Sequence, residues 1–234
     1  MTTSPSARLS GAQPMPVPAL NLAAQFAALR EELLRELTDV ASSGYYVLGP
    51  KVTTFEAAIA RYCGTKFAVG LSSGTDALLV ALLALDIGPG DEVIVPTFTF
   101  FATAGTVVRV GARPVFCDIS PQTYNIDVGQ IERLITPRTR ASLPVHLYGQ
   151  LADMRPLLAL AIRHRLPVIE DAAQAIGARL ADGTSAGALG LLSALSFYPT
   201  KNLGALGDAG ALLTSDETLA ELARKLRVHG SGHT

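Results

Sequence analysis

The sequence has few of the features that mark secreted, membrane or nucleic-acid-binding proteins. Its 234 residues include only two cysteines, Cys63 and Cys117, which lie far apart and form no C-x-x-C pair. This argues against a disulfide scaffold and indicates a reducing compartment, so we expect a cytoplasmic protein. The longest apolar run, residues 77–85, is too short to span a bilayer. The net charge of −1 provides no basic surface for nucleic acid.

Common nucleotide and metal motifs are also missing. The chain has no dinucleotide-binding G-x-G-x-x-G, no Walker lysine and no H-E-x-x-H. His229 and His233 offer two ligands, but they lie in glycine-rich sequence near the chain end, which we interpret as a flexible loop. Glu170 and Asp171 are consecutive, so on a strand they point to opposite faces and cannot easily share one ion. The sequence therefore predicts no metal site.

Composition predicts one folded domain with a short extension. Residues 1–19 hold Ser, Pro and Gly without a continuous apolar segment, so we interpret them as a disordered extension rather than a signal peptide. Met15 is an alternative start. Residues 20–234 are long enough for one well-buried core, and 49% apolar with 17% charged residues is typical of a globular chain.

Apolar runs and helical segments alternate along most of the chain. Two helices come first: one is capped by Asn21 and stopped by Gly44, and the other begins with a capping box of Thr53 and Glu56. Predicted strands then cover residues 67–71, 92–96, 114–119, 141–147 and 167–170. The helices between them cover residues 75–85, 102–110, 128–134 and 154–164. This alternation predicts parallel βαβ units and an α/β fold.

The end of the chain shows a different pattern. Residues 195–197 and 211–214 are predicted strands with no helix between them, so they can pair antiparallel. A final helix is predicted from residue 216 to about 228. The loop between the two strands holds Lys201 and three glycines, which let the backbone approach a ligand closely. If the Lys201 amine is sheltered from water there, its neutral form is favoured, and a neutral amine can attack an aldehyde to form a Schiff base. The alternative is an ordinary solvated lysine, which is the usual state of a lone lysine.

Four segments with suitable chemistry follow directly after predicted strands. They are Ser72–Thr75, Pro96–Phe101, Asp171 and the loop with Lys201. Ligands of open α/β sheets bind outside the carboxyl ends of the strands, so we expect these segments to converge. The first one joins a strand to a helix start, where free amides and the helix dipole hold a phosphate, although a plain N-cap is an equal alternative.

Three motifs carry a family resemblance. Ser196-Phe-x-x-x-Lys201-Asn, Glu170-Asp-Ala-Ala-Gln174 and Ser72-Ser-Gly-Thr-Asp-Ala-Leu78 resemble those of the DegT/DnrJ/EryC1/StrS family of pyridoxal-phosphate sugar aminotransferases. The resemblance runs from about residue 20 to the last residue. It implies the three-layer α/β/α large domain of fold type I, with a mostly parallel sheet. Chains of that family are longer, which implies that their small C-terminal domain is absent here.

The resemblance also implies a role for each site residue. Lys201 and Asp171 are the implied catalytic pair: the lysine binds the aldehyde of pyridoxal 5′-phosphate and moves a proton, and the acid pairs with the pyridine nitrogen. The other implied cofactor contacts are Gly74, Thr75 and Ser196 at the phosphate, Phe100 over the ring and Gln174 at the ring or its hydroxyl. Phe98 and Phe101 are alternatives to Phe100. We leave His146 outside the catalytic set, because a lone histidine is more often structural.

The function implied by the resemblance is transfer of an amino group, from glutamate, to a nucleotide-linked keto-sugar. Such reactions belong to cell-surface polysaccharide or secondary-metabolite sugar biosynthesis, and the family enzymes are homodimers. Relatives with histidine in place of Lys201 perform dehydration, so the lysine argues against that branch. Two alternatives stay open: a truncated, catalytically silent remnant, and a fold-type-I enzyme for free amino acids.

Overall fold

Strands and helices alternate through residues 17–231, the part of the chain that the computed structural model describes. The predicted extension up to residue 16, with Met15, and His233 lie outside these residues. The helices are α1 Leu22–Ser43, α2 Pro50–Cys63, α3 Gly74–Ala84, α4 Ala102–Arg109, α5 Val128–Ile131, α6 Met154–His164 and α7 Glu217–Arg227. The strands are β1 Phe67–Leu71, β2 Glu92–Pro96, β3 Arg113–Cys117, β4 Thr139–Ser142, β5 Ile169–Asp171, β6 Leu192–Ser196 and β7 Gly210–Thr214.

The sheet is mostly parallel, as the alternation predicted. Strand β2 pairs in parallel with β3 and β4, and β5 pairs in parallel with β6. Strand β7 runs antiparallel between β6 and β1. Isolated parallel bridges from Ser142 to Val168 and from Val145 to Asp171 connect the two groups of strands. The strand order is therefore β3-β2-β4-β5-β6-β7-β1, and the predicted antiparallel pairing of the last two strands is confirmed.

Helices cover both faces of this sheet. On β7, Leu212 packs in one cluster with residues of α3, α4 and α7, whereas its neighbour Leu213 packs in another with residues of α2. On β2, Ile94 packs against α6 while Val93 packs with α3 and α4. Side chains alternate between faces along a strand, so each strand contributes to both apolar layers. The expected three-layer architecture is confirmed.

Helix α1 has the predicted ends but lies on the surface. The Asn21 side chain accepts a hydrogen bond from the Ala24 N–H at 3.0 Å, and Gly44 ends the helix in the left-handed conformation with φ 73°. None of the residues of α1 is buried, although Leu22, Phe26, Leu29, Leu34 and Leu37 are apolar. Across residues 17–231, no helix combines the length and hydropathy needed to cross a membrane.

The predicted start of α2 is wrong. Helix α2 begins at Pro50, with Gly49 as its N-cap, because the fixed φ of proline suits the first helical turn. Thr53 and Glu56 therefore lie inside the helix and form no capping box. The Glu56 carboxylate instead accepts from the Gly70 N–H at 2.7 Å and from Arg227 at 2.5 Å, which ties α2 to β1 and α7.

Candidate active site

The seven predicted site residues line a single cavity of about 560 Å³. They come from the carboxyl ends of β1, β2, β5 and β6 and from the loop after β6, as expected for an open α/β sheet. The seven are Gly74, Thr75, Phe100, Asp171, Gln174, Ser196 and Lys201. A larger and more open cavity of about 790 Å³ lies among residues 120–129 and 150–163 and contains none of them. The smaller cavity is therefore the candidate active site.

One end of the cavity is formed by the N-terminus of α3. The Ser73 hydroxyl accepts from the Asp76 N–H at 3.0 Å and so caps the helix. The N–H groups of Gly74 and Thr75 donate to no atom of the described residues. Free amides combined with the positive end of a helix dipole attract an anion. This end of the cavity is suited to a phosphate.

Ser196 completes this end because Gly74 has no side chain. A Cβ placed on Gly74 would lie 2.6 Å from the Ser196 Cβ and 3.2 Å from its Oγ, so only glycine allows this approach. The Ser196 Oγ accepts from the Tyr198 N–H at 3.4 Å. Its own proton can therefore point to a ligand, beside the free amides of α3.

Lys201 follows a tight turn at the end of β6. Its N–H donates to the Tyr198 carbonyl at 2.8 Å, and Pro199 occupies the position of that turn where proline is favoured. A Cβ on Gly204 would lie 2.3 Å from the Pro199 carbonyl oxygen, so the loop packs against the turn only with glycine there. The half-buried Lys201 side chain lines the cavity. This placement agrees with the predicted sheltered amine.

Asp171 is buried at the end of β5, with 4% of its surface exposed. Its Oδ2 accepts from the Thr103 hydroxyl at 2.8 Å, and its Oδ1 accepts from the Ala173 N–H at 3.2 Å. Burial raises the pKa of the Asp171 carboxyl, while these two hydrogen bonds and the charge of Lys201 act in the opposite direction. A buried carboxyl of this kind is suited to sharing a proton with a basic nitrogen in the cavity.

Glu170 points to the opposite face of β5 and takes no part in the cavity. Its carboxylate accepts from His146 Nε2 at 2.8 Å and from the backbone N–H groups of Gly187, Leu189 and Gly190 at 2.6–2.9 Å. The Ala152 N–H donates to His146 Nδ1 at 3.2 Å, so the ring proton lies on Nε2 and is donated to Glu170. His146 is therefore a buried residue whose two ring nitrogens are both hydrogen-bonded within the protein, on the side of β5 away from the cavity. Among residues 17–231, no cluster of potential metal ligands is present.

Of the three phenylalanines after β2, Phe100 alone lines the cavity. Phe98 packs on Tyr124 with ring centroids 5.9 Å apart, and Phe101 rests against Gly105. The Gln174 side-chain oxygen accepts from the Tyr148 N–H at 2.7 Å, so its amide group is the part left to donate to a ligand. Phe100 and Gln174 therefore line the same cavity as Lys201 and Asp171.

Sequence reasoning missed several residues around this cavity. Thr99, Tyr198 and Asp208 line it, and Thr103 lies behind Asp171. Two of these are four residues apart: Thr99 lies in the turn after β2, and Thr103 lies in the first turn of α4. Hydroxyls in that position were a usable signal, since the other site segments also follow strands.

The stretch Gly70–Gly74 also fits the pattern G-x-S-x-G at a strand-to-helix turn, as found at the nucleophile of many hydrolases. The Ser72 hydroxyl, however, donates to the Asp76 carboxylate at 2.5 Å. None of the histidines in the described part of the chain forms a hydrogen bond with it. Among the described residues, Ser72 therefore has no histidine base of the kind that activates a serine nucleophile.

Together these groups fit a flat ligand with three functional parts. The amides of α3 suit an anionic group, Asp171 suits a basic ring nitrogen, and Lys201 suits an electrophilic carbonyl. A family model described as the DegT/DnrJ/EryC1/StrS aminotransferase family matches residues 27–234. The chain belongs to this family. The resemblance seen in the motifs is thereby confirmed over most of the sequence.

Two relatives show what kinds of protein are similar to this chain. A "Pleiotropic regulatory protein" of Geobacillus stearothermophilus is 52% identical over 93% of the chain and 58% of its own length. A UDP-N-acetyl-3-dehydro-alpha-D-glucosamine 3-aminotransferase of Acidithiobacillus ferrooxidans is 50% identical over 93% of the chain and 59% of its own length. The chain therefore spans less than two thirds of the relatives that it matches.

Solved structures of relatives share the fold. DesV of Streptomyces venezuelae, solved in complex with a ketimine intermediate, superposes with a TM-score of 0.90 at 50% identity and covers 93% of this chain and 58% of its own. NtdA of Bacillus subtilis, solved with bound cofactor PMP, gives a TM-score of 0.83 at 39% identity and covers 94% of this chain and 48% of its own. The predicted fold is confirmed as the corresponding part of these aminotransferases.

Proposed function

We propose that this chain carries the cofactor site of a pyridoxal-phosphate aminotransferase that transfers an amino group from glutamate to a nucleotide-linked keto-sugar. The observation that carries the proposal is the convergence of Lys201, Asp171 and the free amides of α3 on one cavity. Among the relatives, a 50% identical protein is named as an aminotransferase of a UDP-linked sugar. Polysaccharide or secondary-metabolite sugar biosynthesis is the corresponding setting.

Each residue of the cavity then has a definite task. Pyridoxal phosphate supplies an electrophilic aldehyde and a ring that withdraws electrons. Lys201 would hold the aldehyde carbon, and its free amine would serve as a general base. Asp171 holds the proton of the ring nitrogen. The amides of Gly74 and Thr75, with the Ser196 hydroxyl, bind the phosphate.

The remaining contacts orient the ring within the cavity. Phe100 covers one of its faces with an apolar surface, and the amide group of Gln174 donates to the ring or its hydroxyl. Because these groups belong to different strands and loops, the sheet fixes their relative positions before the ligand arrives. This arrangement favours a rigid, preorganised site.

We expect reductive trapping to label one lysine of four. The chain is mixed with pyridoxal phosphate, reduced with borohydride, digested and analysed by mass spectrometry. The label is expected on Lys201, since Lys51, Lys66 and Lys225 lie away from the cavity. A label spread over all four lysines would show only non-specific reaction with exposed amines and would refute the proposed site. Formation of an amino sugar from glutamate and a nucleotide-linked keto-sugar then tests the reaction.

We also propose that the protein forms a homodimer and is located in the cytoplasm. Large apolar side chains beside the cavity are exposed, including Phe101 at 82% and Tyr148 at 74%. Apolar surface of this kind commonly marks an interface. The proposed cytoplasmic location rests on cysteine usage, since Cys63 and Cys117 are buried free thiols in the described part of the chain. Burial raises the pKa of each thiol to about 11, which makes both unreactive.

Sedimentation equilibrium tests the dimer with two matched variants. Tyr148 has a positive φ of 56°, a conformation that aspartate tolerates, so Tyr148→Asp places a charge on the exposed patch with little backbone strain. We expect the dissociation constant of the dimer to be at least about tenfold higher in this variant than in the wild type. Ile162→Asp on α6, where the side chain is 78% exposed, should leave the dimer intact. A wild-type chain that is monomeric at micromolar concentration would refute the proposed dimer.

A further inference from the structure

Thr103 connects the cavity wall to the buried acid. This residue lies in α4 with 0% of its surface exposed, and its hydroxyl donates to Asp171 Oδ2 at 2.8 Å. The Thr99 Oγ1 lies 2.9 Å from the Thr103 Oγ1. A hydroxyl has a single proton, and that of Thr103 goes to the carboxylate, so Thr99 must be the donor to Thr103. The hydrogen bonds therefore run in one direction, from Thr99 at the cavity wall through Thr103 to Asp171.

This chain of hydrogen bonds acts on both the orientation and the charge of Asp171. Thr103 holds one carboxylate oxygen and the Ala173 N–H holds the other, so the plane of the carboxylate is fixed. Within the described residues, Thr103 provides the only side-chain hydrogen bond to Asp171. Burial disfavours the charged carboxylate, and a hydrogen bond donated to the charged form favours it.

We propose that Thr103 is a positioning residue of this site: its hydroxyl orients Asp171 and keeps the carboxylate ionised so that a proton stays on the ring nitrogen. Thr99 sets the direction of the Thr103 hydroxyl. The consequence for the ring nitrogen rests on the proposed function, whereas the coupling between Thr103 and Asp171 does not. The two parts can therefore be tested separately.

Other charged groups near Asp171 stay the same in every variant. Its ionisable neighbours are His146, from the segment after β4, whose ring donates to Glu170, and Lys201, from the loop after β6, whose positive charge lowers the pKa of the carboxyl. Glu170, the adjacent residue, points to the opposite face. A difference in pH dependence between the Thr103 variants therefore reflects the presence or absence of the Thr103 hydroxyl.

The same helix offers a matched control. Thr106 is also fully buried in α4, but its hydroxyl donates to the Ala102 carbonyl at 2.9 Å, and the Thr103 carbonyl lies 3.3 Å from the same oxygen. Thr106→Val replaces a hydroxyl with a methyl group, as Thr103→Val does, but it leaves the hydrogen bond from Thr103 to Asp171 in place. Thr103→Ser retains the hydroxyl and should restore the wild-type behaviour.

The first experiment measures thermal unfolding of the cofactor-free chain from about pH 5 to about pH 9. The folded pKa of Asp171 is raised above its unfolded value, so its contribution to stability is present at low pH and is lost as the pH rises through the folded pKa. Thr103→Val should raise that pKa further, because a hydrogen bond to the charged carboxylate is lost, and so increase the alkaline loss of stability by about tenfold in the folding equilibrium constant. If thermal stability depends on pH in the same way in Thr103→Val and Thr106→Val, the proposed coupling between Thr103 and Asp171 is wrong.

The second experiment measures the cofactor-loaded chain. If Asp171 in Thr103→Val takes the proton from the ring nitrogen, the ring carries less positive charge. The nitrogen that joins Lys201 to the cofactor is then easier to protonate. The pH midpoint of the visible absorbance should rise by about half a unit or more, and the turnover number should fall about tenfold, with cofactor affinity nearly unchanged. An unmoved midpoint would overturn the proposed effect on the ring. Absence of any absorbance in the wild type would instead refute the proposed cofactor, while the cofactor-free experiment still decides the coupling.

Discussion

Replacing Lys201 with alanine is expected to abolish the visible absorbance that pyridoxal phosphate produces on the wild-type chain. Lys201 is the only amine that lines the cavity within residues 17–231, since the other described lysines lie elsewhere. Without it, the cofactor aldehyde has no covalent partner in the cavity. Transamination should fall by at least about a thousandfold, because the variant also loses the base that moves protons.

Two further variants separate this effect from a simple loss of positive charge. Lys201→Arg retains the charge but provides no nucleophilic amine, so it should also lack the absorbance. Lys225→Ala removes an exposed lysine from α7 and should behave as the wild type. Cofactor absorbance and borohydride trapping in all three variants provide the measurement. If Lys201→Ala still forms a reducible link inside the cavity, Lys201 is not the residue that binds the aldehyde.

The fold could largely be predicted because its signals are local. Strands such as β2 are short apolar runs, and helices such as α6 repeat apolar residues at three or four positions. Strand β4, with the sequence Thr-Arg-Ala-Ser, has no such signal, and the predicted strand 141–147 overlaps it in only two residues. The candidate site residues Gly74 and Asp171 could be proposed for the same reason, since each lies at the carboxyl end of a strand or in the turn after it. The start of α2 was missed because Pro50 favours an earlier helical turn than the Thr53 and Glu56 pattern indicates.

What the sequence could not provide are contacts between distant residues. Thr103 and Asp171 are 68 positions apart, and no pattern near either residue indicates that they meet. The same holds for His146 and Glu170, which are 24 positions apart and form a buried pair. The family resemblance favoured Phe100 over Phe98 and Phe101; that Phe100 alone of the three lines the cavity depends on the geometry of an irregular turn, which periodicity does not describe. Such contacts require the folded sheet.

Asp171→Asn is expected to retain the cofactor but to lose turnover. The groups proposed to hold the cofactor (the α3 amides, Ser196 and Lys201) are unchanged in this variant, so binding should weaken only slightly. An amide has nearly the shape of a carboxylate but no negative charge, so it cannot stabilise a proton on the ring nitrogen. The ring then withdraws fewer electrons. Removing one preorganised electrostatic partner typically lowers the turnover number by about a hundredfold to a thousandfold.

The folding stability of this variant provides an independent check with a defined sign. Burial raises the pKa of the Asp171 carboxyl, so the charged form destabilises the folded chain as the pH increases. Asparagine does not ionise, and the variant should therefore lose less stability than the wild type between acidic and alkaline pH. Thermal unfolding of the cofactor-free chain measures this difference, and an identical pH dependence in both proteins would contradict the assigned state of Asp171.

Asp208→Asn is the matched control, because Asp208 is a second acid that lines the same cavity but is exposed to solvent. This variant removes one negative charge from the cavity and leaves the buried carboxylate with its Thr103 hydrogen bond in place. If the loss in Asp171→Asn reflected only a change in the overall charge of the cavity, Asp208→Asn would lower turnover to a similar degree. We expect instead that the effect is confined to Asp171, since only a carboxylate fixed at both oxygens can hold the ring proton in one position. Turnover at the wild-type rate in Asp171→Asn would show that another group protonates the ring nitrogen.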